Sequence, residues 1–552
     1  QILRAPMPSV SAVIATTLSA HVHDVFGVMG NGNAYFLDAL ETTSTVFTPV
    51  RHEAAAVAAA DAYFRACGRL AAATATYGAG FTNLITPLAE AVRARIPLVV
   101  IVGSAPESGM RDWDVDQTAL ASAVGAATIT VDRMDAQGQT ERAVALARST
   151  RMPVVLAVPY DIGRASAADP NAAPTSWVAD DAPAAPLDAD EIAAAAAALA
   201  GAARPLILAG RGAWLAQAGE VLGELADCVG ALTATSALGA GLFGDSPWNL
   251  GIAGGFGSHE SAALMHEADV VLVVGARLNQ FTMRFGSLLD PAATVIQIDT
   301  DPESRHPVTD LLLVGDAVDV GRALCDRLAE HRAITPWRAT AGEVPHGLSS
   351  MVGEVAVLED ARLDPRNVFQ RLDRALPLDR VVVQDGGHFI GWAPGYLRIP
   401  APNRLIMVGT ALQTIGLGFA SGVGAAVAAP DSTIVLATGD GGGLMALSDL
   451  QSFIAATRRG VVIVVNDAGY GAEMHQYGSK GLSATPMLID DVDFAAVGSA
   501  LGAHGLTVRT LDDLDALERW LADGSDGVWV VDCKVSQSII APYMREIMVT
   551  GM

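Results

Sequence analysis

Short apolar runs closed by glycine alternate along the chain with longer stretches of helical spacing, and that alternation sets the expected fold. Residues 10–20 have helical spacing, 24–30 read as a strand entering a turn, 36–40 open another helix and 46–50 another strand. Residues 53–67 form an alanine-rich helix, and 70–76, 98–102 and 154–158 are further buried strands. Strands alternating with helices predict a parallel sheet covered on both faces, here for a first unit of residues 1–165. Residues 164–188 are rich in Ala, Pro, Asp and Ser without periodicity and read as a linker. A second unit follows at 189–335, with strands at 206–208, 270–274 and 295–298. Residues 334–366 make another irregular connection, partly helical, before a third unit at 360–552. The expected fold class is α/β, with three doubly wound parallel-sheet domains.

The third unit holds the densest pattern. Residues 434–437 read as a buried strand, followed by Thr438-Gly439-Asp440-Gly441-Gly442-Gly443, a helical stretch at 444–457 and a second buried strand at 461–465. That strand runs into Asn466-Asp467-Ala468-Gly469-Tyr470, so Asp440 and Asp467 end two adjacent strands, 27 positions apart. The glycines let the backbone turn and approach a ligand. Two carboxylates at neighbouring strand ends suit Mg²⁺, which keeps few protein ligands and fills its octahedron with phosphate and water. The plain structural alternative is a strand–helix turn with a solvated aspartate.

Composition narrows the class. At 552 residues the chain has room for two to four cores, and 51% hydrophobic content with 55 glycines suits helices packed closely on sheets. A formal charge of −25 argues against nucleic acid as a partner. The four cysteines, Cys67, Cys228, Cys325 and Cys533, are far apart and form no Cys-x-x-Cys pair. A cytoplasmic, reducing setting fits them. No basic segment followed by an apolar stretch opens the chain, so no signal peptide is expected. Residues 192–203 are too short to span a membrane, and 408–429 are interrupted by Gly, Thr, Gln and Ser; a soluble protein without a membrane partner is expected.

In the first unit, Phe47-Thr48-Pro49-Val50-Arg51-His52-Glu53 delivers Glu53 to the start of a helix whose first turns carry only small side chains. A carboxylate there is favoured by about 0.3–1 kcal/mol from the helix dipole alone, so capping is the alternative to chemistry.

The Gly-Asp-Gly run with Asn466-Asp467 27 residues on resembles the thiamine diphosphate signature. Phe26-Gly27-Val28-Met29-Gly30, His52-Glu53, Thr76-Tyr77-Gly78-Ala79-Gly80-Phe81-Thr82-Asn83-Leu84 and Pro97-Leu98-Val99-Val100-Ile101-Val102-Gly103 resemble, in order and spacing, the pyrimidine-binding domain of acetolactate synthase-like enzymes. Leu412-Gln413-Thr414-Ile415-Gly416 resembles the segment before their diphosphate motif. The likeness covers all three units: pyrimidine-binding, middle and diphosphate-binding. It implies that Glu53 holds a proton at the pyrimidine ring of the cofactor, in a dry setting that the following alanines could wall. By the same resemblance Asp440, Asp467 and the carbonyl of Gly469 ligate Mg²⁺, with Asn466 as the fallback ligand. The family usually has asparagine at the place of Asp467. Ile415 would prop the cofactor in a bent form, beside Gln413. Gly387, His388, Gly439, Gly441 and Gly442 would line the diphosphate, with Tyr470 and Gly471 beyond the second strand.

On the substrate side the resemblance points to Asn31, to Gln117 and to Glu473, an acid/base glutamate in pyruvate decarboxylase-like relatives. For each the alternative is an ordinary polar surface residue; for His52 a structural hydrogen bond is expected, and His475 is open. Gln117, without a His-His pair nearby, implies a carboligase or lyase acting on small 2-oxo acids such as pyruvate. Gly275-Ala276-Arg277-Leu278-Asn279 resembles oxalyl-CoA decarboxylase and 2-hydroxyacyl-CoA lyase, making acyl-CoA lysis or simple decarboxylation the alternatives. FAD or ADP stands open for the middle unit. A dinucleotide oxidoreductase is disfavoured, since Gly210-Arg211-Gly212 and Gly30-Asn31-Gly32 complete no Gly-x-Gly-x-x-Gly fingerprint. The resemblance also implies a homodimer or homotetramer with active sites at the interface, and residues 536–552 are expected to cover the site as a lid.

Overall fold

The computed structural model describes residues 7–167, 186–330, 337–342, 344 and 352–550. Most of the expected linker at 164–188 and part of the connection at 334–366 lie outside the described residues. The rest forms three six-stranded sheets in which every strand pair is parallel, with helices between the strands, as the apolar rhythm predicts.

The first and third sheets share one topology. In the first, the strands are Asp24–Gly27, Val46–Pro49, Ala71–Ala75, Leu98–Ser104, Ala127–Thr130 and Pro153–Pro159. In the third they are Arg380–Gln384, Leu405–Ile406, Thr433–Gly439, Arg459–Asn466, His504–Val508 and Gly527–Lys534. Both have the spatial order second, first, third, fourth, sixth, fifth. The middle sheet, from Pro205–Ala209 to Leu311–Val314, has the order third, second, first, fourth, fifth, sixth read from one edge. That is the order of dinucleotide-binding sheets, whose ligands lie at the carboxyl ends of the strands.

The alanine-rich helix has a packing explanation. Glu53–Cys67 lies against Gly418–Ala428, and a Cβ added to Gly424 would stand 2.0 Å from the Ala59 carbonyl oxygen. Small residues on both helices let the backbones touch, so Ala55 to Ala60 are buried in a core shared by the first and third sheets. These alanines thus answer first to helix packing, with Ala59 directly against Gly424. Gly424→Val should push the helices apart and cost about 3 kcal/mol, read as a lowered urea midpoint; an unchanged midpoint would contradict this packing.

A buried ion cluster crosses the same junction. Arg65 pairs with Asp61 at 2.5 Å and Glu90 at 3.2 Å, and its Nη1 donates to the Met407 carbonyl at 3.1 Å. The other oxygen of Glu90 accepts the Leu412 N–H at 2.7 Å. The first sheet's helices thus grip the loop that presents Gln413 and Ile415.

Candidate active site

The carboxyl ends of the third sheet open into a cavity of about 1420 Å³. Strands Thr433–Gly439 and Arg459–Asn466 are neighbours in register, Gly439 opposite Val465, so Asp440 and Asp467 leave the sheet side by side. The run at 438–443 differs from its expected turn. Asp440–Met445 is helical from its first residue, and none of Gly439, Gly441, Gly442 and Gly443 has positive φ. Their service is close approach: an added Cβ would meet the Tyr470 ring at 2.7 Å from Gly441, and an Asp385 oxygen at 2.9 Å from Gly442.

Asp440 and Asp467 are buried, and neither has an ion-pair partner among the described residues. Burial pushes the Asp440 carboxyl up to about 6 against three backbone N–H groups, one of them Gly469 donating at 3.1 Å. Burial, with the charge of Asp440 added, pushes Asp467 up to about 8. Two desolvated carboxyls with no cation are a charge deficit that a divalent metal removes. No group of three or more His, Cys, Asp or Glu side chains suited to a metal occurs among the described residues. The donor set is thus two carboxylates plus backbone, which suits Mg²⁺ shared with a diphosphate. Asn466, the fallback ligand, is held inside the fold: its amide nitrogen donates to the Val492 carbonyl and to Asp532, both at 3.0 Å, and its oxygen accepts the Ala468 N–H at 3.3 Å.

Sequence reasoning missed Asp385, which follows the strand Arg380–Gln384. It is fully buried, and burial raises its carboxyl. One oxygen accepts the N–H of Gly386 at 2.8 Å and of Gly416 at 3.0 Å; the other accepts the Thr438 hydroxyl at 3.0 Å. It ties together three loops of the cavity floor, including the one holding Ile415. The available signal was the apolar run Val381-Val382-Val383 ending in Gln384-Asp385-Gly386-Gly387.

Gly387, His388, Gln413, Ile415, Gly439, Gly441, Gly442, Gly469, Tyr470, Gly471 and Glu473 all line this cavity. Gln413 has φ +61, a left-handed conformation that costs a residue with a side chain, while Gly387 has φ +138, which glycine adopts freely. His388 Nε2 accepts the Ala541 N–H at 2.9 Å, and burial lowers its pKa to about 3, so the ring is neutral with Nδ1 as its donor. The segment expected as a lid lines the cavity through Ser536, Ile539, Tyr543, Met544 and Ile547. Helix Pro542–Thr550 seats the Tyr543 hydroxyl 2.9 Å from the Gly387 and His388 carbonyls, and Gln537 donates to the Asp467 carbonyl at 2.6 Å.

The remaining predicted residues gather elsewhere, at the carboxyl ends of the first sheet. Glu53 opens its helix, partly exposed, and accepts from Asn83 at 2.9 Å. His52 caps the same helix by accepting the Ala54 N–H at 3.2 Å, the structural bond expected of it. Asn31 donates to the Tyr77 hydroxyl at 2.9 Å. Gln117 is buried with both amide ends used, accepting from Gly78 N–H and donating to the Gly103 carbonyl, each at 2.9 Å. Glu53, Asn31 and Gln117 do not line the cavity that holds Asp440 and Asp467. Within one chain the predicted residues therefore fall into two separate groups, one at the carboxyl ends of the first sheet and one at those of the third. Large apolar side chains lie exposed around the first, Met29, Met110 and Trp113, and near the second, Met445, Leu482 and Leu488.

The cavity continues between the first and middle sheets to Arg93, Arg95, Arg151, Arg211 and Arg277. Burial, reinforced by Arg65 nearby, lowers Arg211 to about 10.

Comparison with known proteins covers the same three sheets. Residues 8–124 match the family model described as thiamine pyrophosphate enzyme, N-terminal TPP binding domain; residues 192–324 match the central domain and 385–533 the C-terminal TPP binding domain. The chain is 30% identical to the acetolactate synthase isozyme 2 large subunit of Escherichia coli (strain K12), over 94% of this chain and 93% of that protein. It is 28% identical to the isozyme 3 large subunit of the same organism, over 91% and 90%. The sulfoacetaldehyde acetyltransferase of Castellaniella defragrans is 27% identical over 91% and 88%.

Proposed function

Because the chain belongs to the thiamine pyrophosphate enzymes, within the acetolactate synthase-like superfamily, we propose that it makes or breaks a carbon–carbon bond of a small 2-oxo acid such as pyruvate, as a carboligase or lyase. Bound thiamine diphosphate supplies a nucleophilic carbon and an electron sink for the bond that breaks. Asp440, Asp467 and the Gly469 carbonyl would hold Mg²⁺, and His388, with Gly387, Gly441 and Gly442, would receive the diphosphate. Glu53 would hold a proton for the pyrimidine ring, and Ile415 would support the cofactor from the cavity floor. Glu473 moves a proton at the substrate oxygen. Gln117, its amide fully bonded, shapes the loop that carries Asn31 and Tyr77 toward the substrate.

The observation that carries this reading is the division of the site. Asp440 and Asp467 line the cavity, whereas Glu53, Asn31 and Gln117 do not, and large apolar side chains such as Met29 and Trp113 lie exposed in the same unit as Glu53. The two halves become one site when the first sheet of one copy meets the third sheet of another. That pairing makes a homodimer the functional unit, and two such pairs a tetramer. It would also give Glu53 the dry surroundings that a single chain does not.

One observation favours a second reading, an enzyme acting on acyl-CoA in the manner of 2-hydroxyacyl-CoA lyase or oxalyl-CoA decarboxylase. The cavity runs from the carboxylate end to an arginine-lined end on a sheet of dinucleotide-binding order, which suits a polyphosphate tail. FAD or ADP held there as a fixed group would suit the same arginines. Incubation with 2-oxo acids, aldehydes, sulfoacetaldehyde and acyl-CoAs, with thiamine diphosphate and Mg²⁺ added and products read by mass spectrometry, tests the proposal. Pyruvate consumed with release of CO₂ and a new carbon–carbon bond is expected. Turnover of acyl-CoA alone would replace it with the second reading, and turnover of neither would overturn both. A flavin spectrum in the purified protein would assign the arginine end to FAD.

A further inference from the structure

At the carboxyl ends of the first sheet one cation is caged by aromatic rings. The Arg111 guanidinium carbon lies 4.2 Å from the centre of the Tyr77 ring, 4.8 Å from Tyr160 and 5.4 Å from Trp113. Tyr77 and Tyr160 meet edge to face at 5.7 Å. Asp114 holds the fork from behind: Nε donates to it at 2.9 Å, Nη2 at 2.8 Å, and the Arg111 backbone N–H at 2.9 Å. The Asp114 side chain is 1% exposed and that of Arg111 19%, so the pair is fixed on its inner side and open on its outer side. Nε and Nη2 donate to Asp114 and the Tyr77 hydroxyl is a further partner of the fork, so some of its five N–H groups remain for another acceptor. A guanidinium oriented by a carboxylate and stacked on rings has little freedom left to lose on binding an anion.

Its neighbours are the substrate-side residues of the half-site. Tyr77, whose ring Arg111 covers, accepts from Asn31, and Gln117 holds the next residue, Gly78. The facing half lacks a cation. Among the described residues that line the cavity, those of the third sheet's unit include Asp440, Asp467 and Glu473 and no lysine or arginine. The cavity's arginines belong to the first and middle sheets' units, so a carboxylate that enters beside Glu473 gains from a positive group on the opposite wall. Arg51, near Glu53 in the chain, is tied instead to Gln451, with Nε donating at 2.7 Å.

Resting on the reading above, in which this face meets the cradle of a second copy, we propose that Arg111 binds the carboxylate of a small 2-oxo acid substrate. Asp114 and the three rings position it, and Asn31 approaches the same molecule from beside Tyr77.

The test compares oxamate, a nonreactive pyruvate analogue, with its neutral ethyl ester, by calorimetry on the full chain with thiamine diphosphate and Mg²⁺. The wild-type chain should bind oxamate at least about tenfold more tightly than the ester. Arg111→Gln should erase that preference and Arg111→Lys keep part of it, with thiamine diphosphate affinity unchanged in both. Equal oxamate affinity in Arg111→Gln and wild type would overturn the proposal. So would a wild type that does not bind oxamate, loss of the preference through Arg51→Gln with Arg111 intact, or a parallel loss of cofactor affinity marking Arg111 as a loop clamp only. Retention of thiamine diphosphate is measured separately, and the oxamate comparison is read whether or not the cofactor stays, so the two claims fail independently.

Discussion

Replacing Glu53 with glutamine should lower kcat by about a hundredfold to ten-thousandfold while thiamine diphosphate and Mg²⁺ remain bound. Glutamine keeps the size of the side chain and can still accept from Asn83, but it cannot hold a proton at a ring nitrogen and give it back. A carboxyl that served only as a helix cap would behave differently, since its loss costs about 1 kcal/mol of stability and leaves turnover alone. The location of Glu53 sharpens the test. If its partner cavity belongs to another copy, Glu53→Gln and Asp440→Ala chains each fail alone, yet a mixed dimer contains one site with both lesions and one with neither. Equal amounts unfolded and refolded together should recover about a quarter of wild-type activity. No recovery would mean that each chain completes its own site, and full activity in Glu53→Gln would remove Glu53 from the chemistry.

The parts of the fold that sequence makes legible are those where one physical demand dominates. Strands buried on both faces, such as Val270–Val274, read as unbroken apolar runs, and the central strands of each sheet follow from them. Ala127–Thr130 and His504–Val508 are half-exposed edge strands whose short, mixed patterns are hard to tell from loop. Residues 438–443 read as a turn because glycine is a poor helix former, yet Asp440–Met445 is helical. Contacts with Asp385 and Tyr470, far away in sequence, decide that conformation. Asp385 escapes notice for the same reason, since its hydrogen bonds reach 31 positions to Gly416 and 53 to Thr438. The close packing of the alanines after Glu53 is likewise hidden in the sequence, since Gly424, on another unit, is what Ala59 meets.

The second large effect lies in the dependence of the metal site on pH. In the metal-free chain Asp467 keeps its proton up to about 8 and Asp440 up to about 6, whereas unfolded aspartate releases it near 3.9. Between those values the folded chain binds more protons than the unfolded chain. Each unit of rising pH therefore costs the fold up to about 1.4 kcal/mol for each group still protonated. Metal-free protein should lose thermal stability steadily from pH 5 to pH 8. Mg²⁺ with thiamine diphosphate should restore it, with the largest gain at pH 8, where the metal displaces the fewest protons. Below pH 8 the affinity for Mg²⁺ should fall by about tenfold per unit as Asp467 protonates, and more steeply below pH 6 as Asp440 joins it. Asp467→Asn separates the two groups: the amide still offers an oxygen and carries no proton to displace. In that variant Mg²⁺ affinity should be nearly flat between pH 6 and 8, and the fall in stability over that range should vanish. Asp440→Ala should instead abolish Mg²⁺-dependent retention of the cofactor at every pH. Metal-free stability that stays level from pH 5 to 8 would show that the fold does not hold these carboxyls protonated, and Mg²⁺ affinity unchanged in Asp440→Ala would show that they do not hold the ion.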